Sequence, residues 1–268
     1  MNDASRPRPT DTRPHRQLEI AVSLKMYLDP AHTVSWSTAV AEWAPSHPAI
    51  VEGRVKLIVL PSFPSLPEVL SIFAGTAVEV GAQDLFWEDR GPYTGAVSGA
   101  DLRQIGCSYV EVGHVERRRV FGEDNKVASR KLTAALRNGL TPIICVGEDQ
   151  QAPPELAVTE CVAQLEGMLQ DLAPEGPASR LTFAYEPVWT IGMPEPAGID
   201  HIIAVVAALR AWIRAQSRIG DFSVIYGGSA RVGLLPALMG AADGLFLGRF
   251  AHDPLALKAI LDEVLQLR

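Results

Sequence analysis

The chain has 268 residues, of which 47% are apolar and 21% are charged, and this composition excludes a largely disordered protein. Its formal net charge of -7 gives it no general attraction to nucleic acid or to an anionic membrane surface. Its three cysteines form no C-x-x-C pair and cannot all be disulfide-bonded within one chain, which favours a reducing, cytoplasmic location.

The N-terminal segment differs in composition from the rest of the chain. Residues 1–17 mix proline and arginine with almost no apolar side chains, so they lack the apolar run of a secretory signal. We interpret them as a disordered tail and residues 18–268 as one folded domain. No later apolar stretch approaches the roughly 18 to 20 residues that span a bilayer, so no membrane association is expected.

Short apolar runs rich in β-branched residues recur along the chain and are separated by helical patterns. This alternation is typical of repeated βα units around a buried parallel sheet. Eight strands are predicted, at residues 18–24, 55–60, 78–82, 109–112, 141–146, 181–185, 222–226 and 244–247.

The segments between these strands predict helices of unequal length. Residues 126–138, 154–172 and 199–217 carry a clear 3.6-residue apolar period, whereas the helices after the second and seventh strands look short. We therefore predict an α/β fold with a single (β/α)8 barrel. An open doubly wound sheet is the alternative, but it would usually carry G-x-G-x-x-G after the first strand, where SLKMYLD stands.

In such a barrel the reactive groups lie where strands end, and two candidates follow the first and fourth strands. Lys25 follows an apolar run, and a buried cation needs an anion, which is either a phosphate ester or a structural salt bridge. His114, in GHVERR, is either a donor to a carbonyl group or a core or capping histidine. Glu116 and the arginines beside it are expected to form a local ion-pair network.

The sixth strand ends in AYEPVW, which places the carboxylate of Glu186 at the end of an apolar segment. Partial burial is expected to raise its pKa toward that of a useful base, although a paired structural glutamate is the alternative. Glycines follow the last two strands in YGGS and DGLFLG, where exposed N–H groups can cradle a phosphate. Any tight turn also uses glycine, so this signal is weak alone.

In their order along the chain, Lys25, GHVERR, CVGE, AYEPVW, YGGS and DGLFLG resemble the triosephosphate isomerase family from about residue 18 onward. The segment GAQDLFWEDRGPYTGAVSG is similar to the family's third strand and protruding loop. The resemblance implies an intramolecular oxidoreductase that isomerises a small sugar phosphate without metal or coenzyme. For the family's triose substrate it also implies a place in glycolysis.

The resemblance also implies a role for each matching residue. Glu186 removes a proton from the carbon next to a carbonyl and returns it to the neighbouring carbon. Neutral His114 polarises the substrate oxygens, and Lys25 holds the substrate electrostatically. The phosphate donors are Gly192, Ser229 and Gly248.

Two further features follow from the resemblance. Residues 190–198 take the place of a mobile loop whose closure shields the intermediate from water. The protein is expected to be a homodimer, in which the loop bearing Thr94 reaches into the partner's site and supports Lys25 and His114.

Several positions depart from the family's pattern. The first motif, usually Asn-Trp-Lys-Met-Asn, reads SLKMY, so Ser23 presents a shorter hydroxyl in place of a substrate-facing amide. Arg249 stands where a second phosphate-binding glycine is normal, and the lid is richer in proline. Ser23 and the Gly248-Arg249 pair are similar to a branch of the family that isomerises erythrulose phosphates.

Three functions therefore remain open. The favoured one converts L-erythrulose 1-phosphate to D-erythrulose 4-phosphate through an enediol, with a hydroxymethyl group where the triose carries hydrogen. The second is triosephosphate isomerase proper, which converts dihydroxyacetone phosphate to glyceraldehyde 3-phosphate. The third is a non-catalytic phosphate-sugar binding barrel, and the intact set of Lys25, His114 and Glu186 argues against it.

Overall fold

The computed structural model describes residues 17–172, 180–238 and 240–267. The predicted N-terminal tail lies outside the described residues except for Gln17. Eight parallel strands form a closed barrel in chain order, which confirms the predicted (β/α)8 architecture. The strands are β1 Leu18–Ser23, β2 Val55–Leu60, β3 Glu79–Ala82, β4 Tyr109–Val112, β5 Thr141–Val146, β6 Leu181–Tyr185, β7 Phe222–Tyr226 and β8 Gly244–Leu247.

Helices surround this barrel. They are α1 Pro30–Trp43, α2 Pro48–Val51, α3 Leu66–Ile72, α4 Gly99–Ile105, α5 Val115–Phe121, α6 Asn125–Arg137, α7 Pro154–Leu169, α8 Ile199–Arg214, α9 Leu234–Leu238 and α10 Pro254–Val264. The short helices expected after the second and seventh strands are α3 and α9. The predictions for α7 and α8 ran three residues too far, because apolar spacing continues past the last hydrogen-bonded turn.

Side-chain alternation along the strands divides the core into two parts. One part packs between the strands and the helices, and it includes Ile20 and Val22 of β1. The other part fills the barrel. It is formed by the alternate strand residues, such as Ala21, Tyr109 and Cys145, whose side chains point inward. At the carboxyl ends of the strands, the residues whose side chains point inward therefore line that end of the barrel.

The amino end of the barrel is closed by a buried polar cluster around Glu19. Its carboxylate accepts hydrogen bonds from Arg180 at 2.8 Å, from Thr182 at 2.8 Å and from Ser223 at 2.7 Å. A buried charge with this many partners is stable without any ligand, so we read this end as structural. Within the described ranges, no helix is both long and apolar enough to cross a lipid bilayer.

Candidate active site

A pocket of about 350 Å³ lies at the carboxyl ends of the strands, and this volume is typical of a small-molecule site. Its lining includes the residues that the sequence predicted to act within one chain, namely Ser23, Lys25, His114, Glu186, Gly192, Ser229, Gly248 and Arg249. Thr94 lies elsewhere, exposed on the loop between β3 and α4. The fold thus gathers residues from distant parts of the chain at one place.

Glu186 is positioned by the backbone just beyond β6. Its N–H donates to the carbonyl oxygen of Val146 at 2.8 Å and so continues the β5–β6 ladder. A Cβ atom at Gly147 would overlap the Glu186 backbone, and one at Gly227 would overlap the Glu186 side chain. The two glycines therefore form the slot that this glutamate occupies, and only 8% of the residue is exposed.

The pKa of Glu186 differs from the sequence-based expectation. Burial raises the pKa, but the neighbouring His114 and Lys25 lower it by a larger amount, so the net pKa is below the ordinary glutamate value. The prediction of a raised pKa is wrong. The sequence shows the apolar strand that buries Glu186, but it does not show that the fold brings the side chains of His114 and Lys25 beside the carboxylate. The side chain is therefore ionised at neutral pH, which is the form that a base requires.

His114 is the N-cap of α5, and its two ring nitrogens have different surroundings. Nδ1 accepts a hydrogen bond from the Glu116 N–H at 3.1 Å. Nε2 lies 3.7 Å from Oε2 of Glu186 and has no hydrogen-bond partner. Because Nδ1 accepts, the neutral ring carries its proton on Nε2, which is a free donor at the pocket. The residue is thus a capping histidine that also lines the pocket.

Opposing effects act on the charge state of His114. Burial lowers its pKa, whereas the carboxylates of Glu186 and Glu111 raise it, and the net direction is upward. A proton on Nδ1 would face the Glu116 N–H, and a positive ring is unfavourable at a helix N-terminus. The helix cap therefore favours the neutral ring with its proton on Nε2.

Lys25 has an unusual backbone conformation. Its φ is 50°, and Ser229 at 54° is the other non-glycine residue with positive φ in the part of the chain that is described. Such a conformation costs about 1–3 kcal/mol, and residues that adopt it cluster at functional sites. Both residues line the pocket, so the strain is confined to this site.

The side chain of Lys25 forms an ion pair with Glu116, with 2.7 Å between Nζ and Oε1. The salt-bridge alternative for Lys25 is therefore observed. The predicted network between Glu116 and its adjacent arginines is wrong, because Arg117 instead binds Asp84 and Glu123. Burial lowers the pKa of Lys25, but Glu186 and Glu116 raise it above the ordinary value, so the ammonium group stays charged.

Residues 191–194 of the predicted lid line the pocket, and the lid is hydrogen-bonded to the loops after β7 and β8. The Ser229 hydroxyl is 2.7 Å from the carbonyl oxygen of Thr190. Arg249 donates from Nη2 to the carbonyl oxygen of Gly192 at 2.9 Å and also lines the pocket. Arg249 thus contacts the predicted lid as well as the space in which a ligand would bind. The motion of this segment stays a prediction.

Glu111, a buried acid on β4 that is only 4% exposed, is not among the residues predicted from the sequence. Burial raises its pKa to about 7, while His114 and the Ser23 hydroxyl act in the opposite direction. The signal was the acidic letter in the apolar run YVEV. Period-two alternation gives Glu111 the same inward direction as Tyr109 and so places it inside the barrel.

Unpartnered polar atoms collect at this end of the barrel. Four buried atoms here have no hydrogen-bond partner: Ser23 Oγ, Glu111 Oε1, His114 Nε2 and Glu186 Oε1. Buried polar groups are usually bonded, so exceptions that share one place indicate a site for a ligand rich in oxygen atoms. No cluster of three or more metal-binding side chains is found among the residues that the structure describes.

Comparisons with known proteins agree with this arrangement. A model of the triosephosphate isomerase family matches residues 18–264. The L-erythrulose-1-phosphate isomerase of Pectobacterium atrosepticum is 47% identical over 94% of this chain and 97% of its own. The triosephosphate isomerase of Moorella thermoacetica is 37% identical over 80% of this chain and 88% of its own. The L-erythrulose-1-phosphate isomerase of Mesorhizobium japonicum is 36% identical over 87% of this chain and 91% of its own.

Proposed function

The chain belongs to the triosephosphate isomerase family and is an isomerase, and from this premise we propose that its substrate is a tetrulose phosphate. The reaction converts L-erythrulose 1-phosphate to D-erythrulose 4-phosphate. The observation that carries this proposal is the 47% identity, over 94% of the chain, to a relative named L-erythrulose-1-phosphate isomerase. Ser23 supports it, because a serine in the pocket leaves more room than the asparagine of the family's usual motif.

In the proposed reaction, Glu186 is the base. It removes the proton from C3 of L-erythrulose 1-phosphate, next to the C2 carbonyl, and returns a proton to C2 after an enediolate has formed. The lowered pKa of Glu186 supports this role, because the carboxylate is ionised and close to the pocket. The proton of the C3 hydroxyl moves to the C2 oxygen, so the carbonyl then lies on the former C3 and no atom is gained or lost.

His114 and Lys25 are proposed to stabilise the enediolate. The Nε2–H of a neutral His114 donates to the two substrate oxygens, and its lack of another partner supports this role. The charged ammonium group of Lys25 opposes the negative charge that develops on the oxygens. Lys25 is paired with Glu116, so substrate contact requires it to share or exchange that partner.

The phosphate is proposed to bind at the opposite wall of the pocket, formed by the lid and the loops after β7 and β8. The proposed donors are the backbone N–H groups of Gly192, Ser229 and Gly248. Arg249 adds a positive charge to this wall of the pocket, which Arg231 also lines. Because Arg249 also bonds Gly192, we propose that phosphate binding favours the closed position of the lid.

A two-substrate assay tests the proposed substrate. We expect the purified protein to have a higher kcat/KM for L-erythrulose 1-phosphate than for glyceraldehyde 3-phosphate. Ser23→Asn should shift the ratio of the two values toward the triose by roughly tenfold or more, because the longer amide fills the space of the extra carbon. The measurement is steady-state kinetics with both substrates on both proteins.

The matched control is Ser35→Asn, at an exposed position of α1 outside the pocket lining, which should leave the ratio unchanged. A preference of the wild-type protein for glyceraldehyde 3-phosphate would identify a triosephosphate isomerase proper, for which the same three residues suffice. Turnover of neither substrate would favour a non-catalytic binding barrel.

We also propose that the protein is a cytoplasmic homodimer in which Thr94 reaches the partner's site. Met26 and Tyr27, next to Lys25, are 92% and 57% exposed, and such apolar surface beside a site is typically covered in an oligomer. Three buried free cysteines support the cytoplasmic location. Sedimentation should give twice the chain mass, and the mass of a single chain would contradict the dimer.

A further inference from the structure

Ser23 and Glu111 bring two unpartnered polar atoms to the barrel interior, one in the pocket wall and one behind it. Ser23 ends β1 and is 2% exposed, and Glu111 lies on β4 and is 4% exposed. Ser23 lines the pocket, whereas Glu111 lies behind the lining and is close enough to the Ser23 hydroxyl for that group to affect its pKa. Neither Ser23 Oγ nor Glu111 Oε1 has a hydrogen-bond partner.

The buried carboxyl group of Glu111 has no part in the proton transfer proposed above. Burying a carboxyl group without a full set of hydrogen bonds destabilises the fold, and an aliphatic side chain would fill the same place at lower cost. Glu19, at the other end of the same barrel, has a bonded carboxylate and needs no ligand. Glu111 Oε1 instead belongs to the group of four unpartnered buried atoms at the pocket end of the barrel, and its position there indicates that its polar group serves the pocket.

The proposed substrate has one group that this corner would suit. A tetrulose phosphate differs from a triose phosphate by a terminal hydroxymethyl group on the reacting carbon. That group needs space for one carbon and a polar partner for its hydroxyl. The short Ser23 side chain provides the space, and the Ser23 hydroxyl provides the partner.

Resting on the proposed tetrulose phosphate substrate, we propose that Ser23 and Glu111 form the subsite for its terminal hydroxymethyl group. Glu111 is a positioning residue: Ser23 Oγ and Glu111 Oε1 are unpartnered in the structure, and on substrate binding Glu111 accepts a hydrogen bond from the Ser23 hydroxyl and so fixes the direction of that group. The lone pairs of Ser23 Oγ are then free to accept the substrate's primary hydroxyl. A triose phosphate carries hydrogen at this place, so its turnover does not depend on the pair.

The test measures kcat/KM for L-erythrulose 1-phosphate and glyceraldehyde 3-phosphate in variants of both residues. Ser23→Ala and Glu111→Leu should each lower the tetrulose value by about tenfold and change the triose value by less than about twofold. Glu111→Gln should lie between wild type and Glu111→Leu, because its amide oxygen still accepts from Ser23. Any effect of Glu111 charge on His114 or Glu186 acts on both substrates and cancels in the ratio.

The double variant separates positioning from structure. If Glu111 acts through Ser23, adding Glu111→Leu to Ser23→Ala should not change the tetrulose-to-triose ratio further. Ser37→Ala is the matched control, since the Ser37 hydroxyl is likewise buried and unpartnered but lies in α1 away from the pocket. Should Glu111→Leu not fold, as judged by thermal unfolding, the intermediate ratio expected of Glu111→Gln decides the question.

The outcomes distinguish this inference from the function on which it rests. If the wild-type protein does not turn over L-erythrulose 1-phosphate, the proposed function fails and the subsite fails with it. If the wild type prefers the tetrulose but the ratio is unchanged in Ser23→Ala and in both Glu111 variants, the subsite alone is wrong. An additive double variant would also overturn the positioning role of Glu111.

Discussion

Glu186→Asp is expected to lower kcat by about a hundredfold or more, because shortening the base moves its carboxylate away from the substrate carbon by about 1 Å. Proton transfer depends steeply on this distance, whereas the charge and most of the local packing are kept. The midpoint of thermal unfolding should therefore change little. Steady-state kinetics with the preferred substrate, together with calorimetry on the same protein, measure the two effects.

The slot around Glu186 explains why the loss should fall on kcat. Gly147 and Gly227 hold the glutamate backbone and side chain closely, so the shorter aspartate cannot recover the position by a backbone shift. Glu155→Asp, at an exposed position of α7, is the control for this conservative change and should behave as wild type. Near-normal kcat in Glu186→Asp would show that another group is the base.

Much of the fold could be predicted because the information is local. Each strand of the barrel is a short apolar run followed by a helical period, and all eight predicted strands agree with the structure to within one residue at each end. The carboxyl ends of parallel strands meet at one face of the barrel. Lys25, His114 and Glu186 each follow a predicted strand, so the sequence predicts that they lie together. The pocket gathers these three residues as predicted.

The pairing of charges could not be predicted in the same way. Glu116 is adjacent in sequence to arginines, but it bonds Lys25, which lies 91 residues away. Lys25 and His114 also change the sign of the pKa shift at Glu186, although burial alone would raise that pKa. Such effects depend on distances between loops from different strands, and the sequence does not contain those distances.

Glu111 shows a different limit. Its position inside the barrel follows from strand alternation, so the sequence contained the signal. What the sequence did not contain was the missing hydrogen-bond partner, since most buried carboxyl groups are bonded like that of Glu19. Only the structure separates a fully bonded structural acid from one that has an unpartnered oxygen behind a pocket.

Lys25→Met is expected to lower kcat/KM by about 10²–10³-fold, because it removes the charge that stabilises the enediolate in a pocket shielded from water. It should also change the pH dependence. The positive charge of Lys25 helps to hold the pKa of Glu186 below its ordinary value against the effect of burial. Without that charge the pKa of Glu186 rises.

The direction of the pH effect follows from the form of the base that reacts. Glu186 is active when ionised, so activity is present above its pKa and is lost as the pH falls through it. A higher pKa in Lys25→Met therefore moves the acid limb of the kcat/KM profile to higher pH. Glu116→Gln removes the ion-pair partner but keeps the Lys25 charge, so its acid limb should stay near that of wild type.

Lys126→Met, at an exposed position of α6, controls for the loss of a positive charge from the molecule as a whole and should leave the profile unchanged. An acid limb that does not move in Lys25→Met would mean that Lys25 does not lower the pKa of Glu186. The low pKa would then depend mainly on His114, with a smaller contribution from Cys145, and protonation of the His114 ring would compete with its cap to the Glu116 N–H. The pH profile of Lys25→Met thus tests whether the pocket keeps its base ionised while His114 stays neutral.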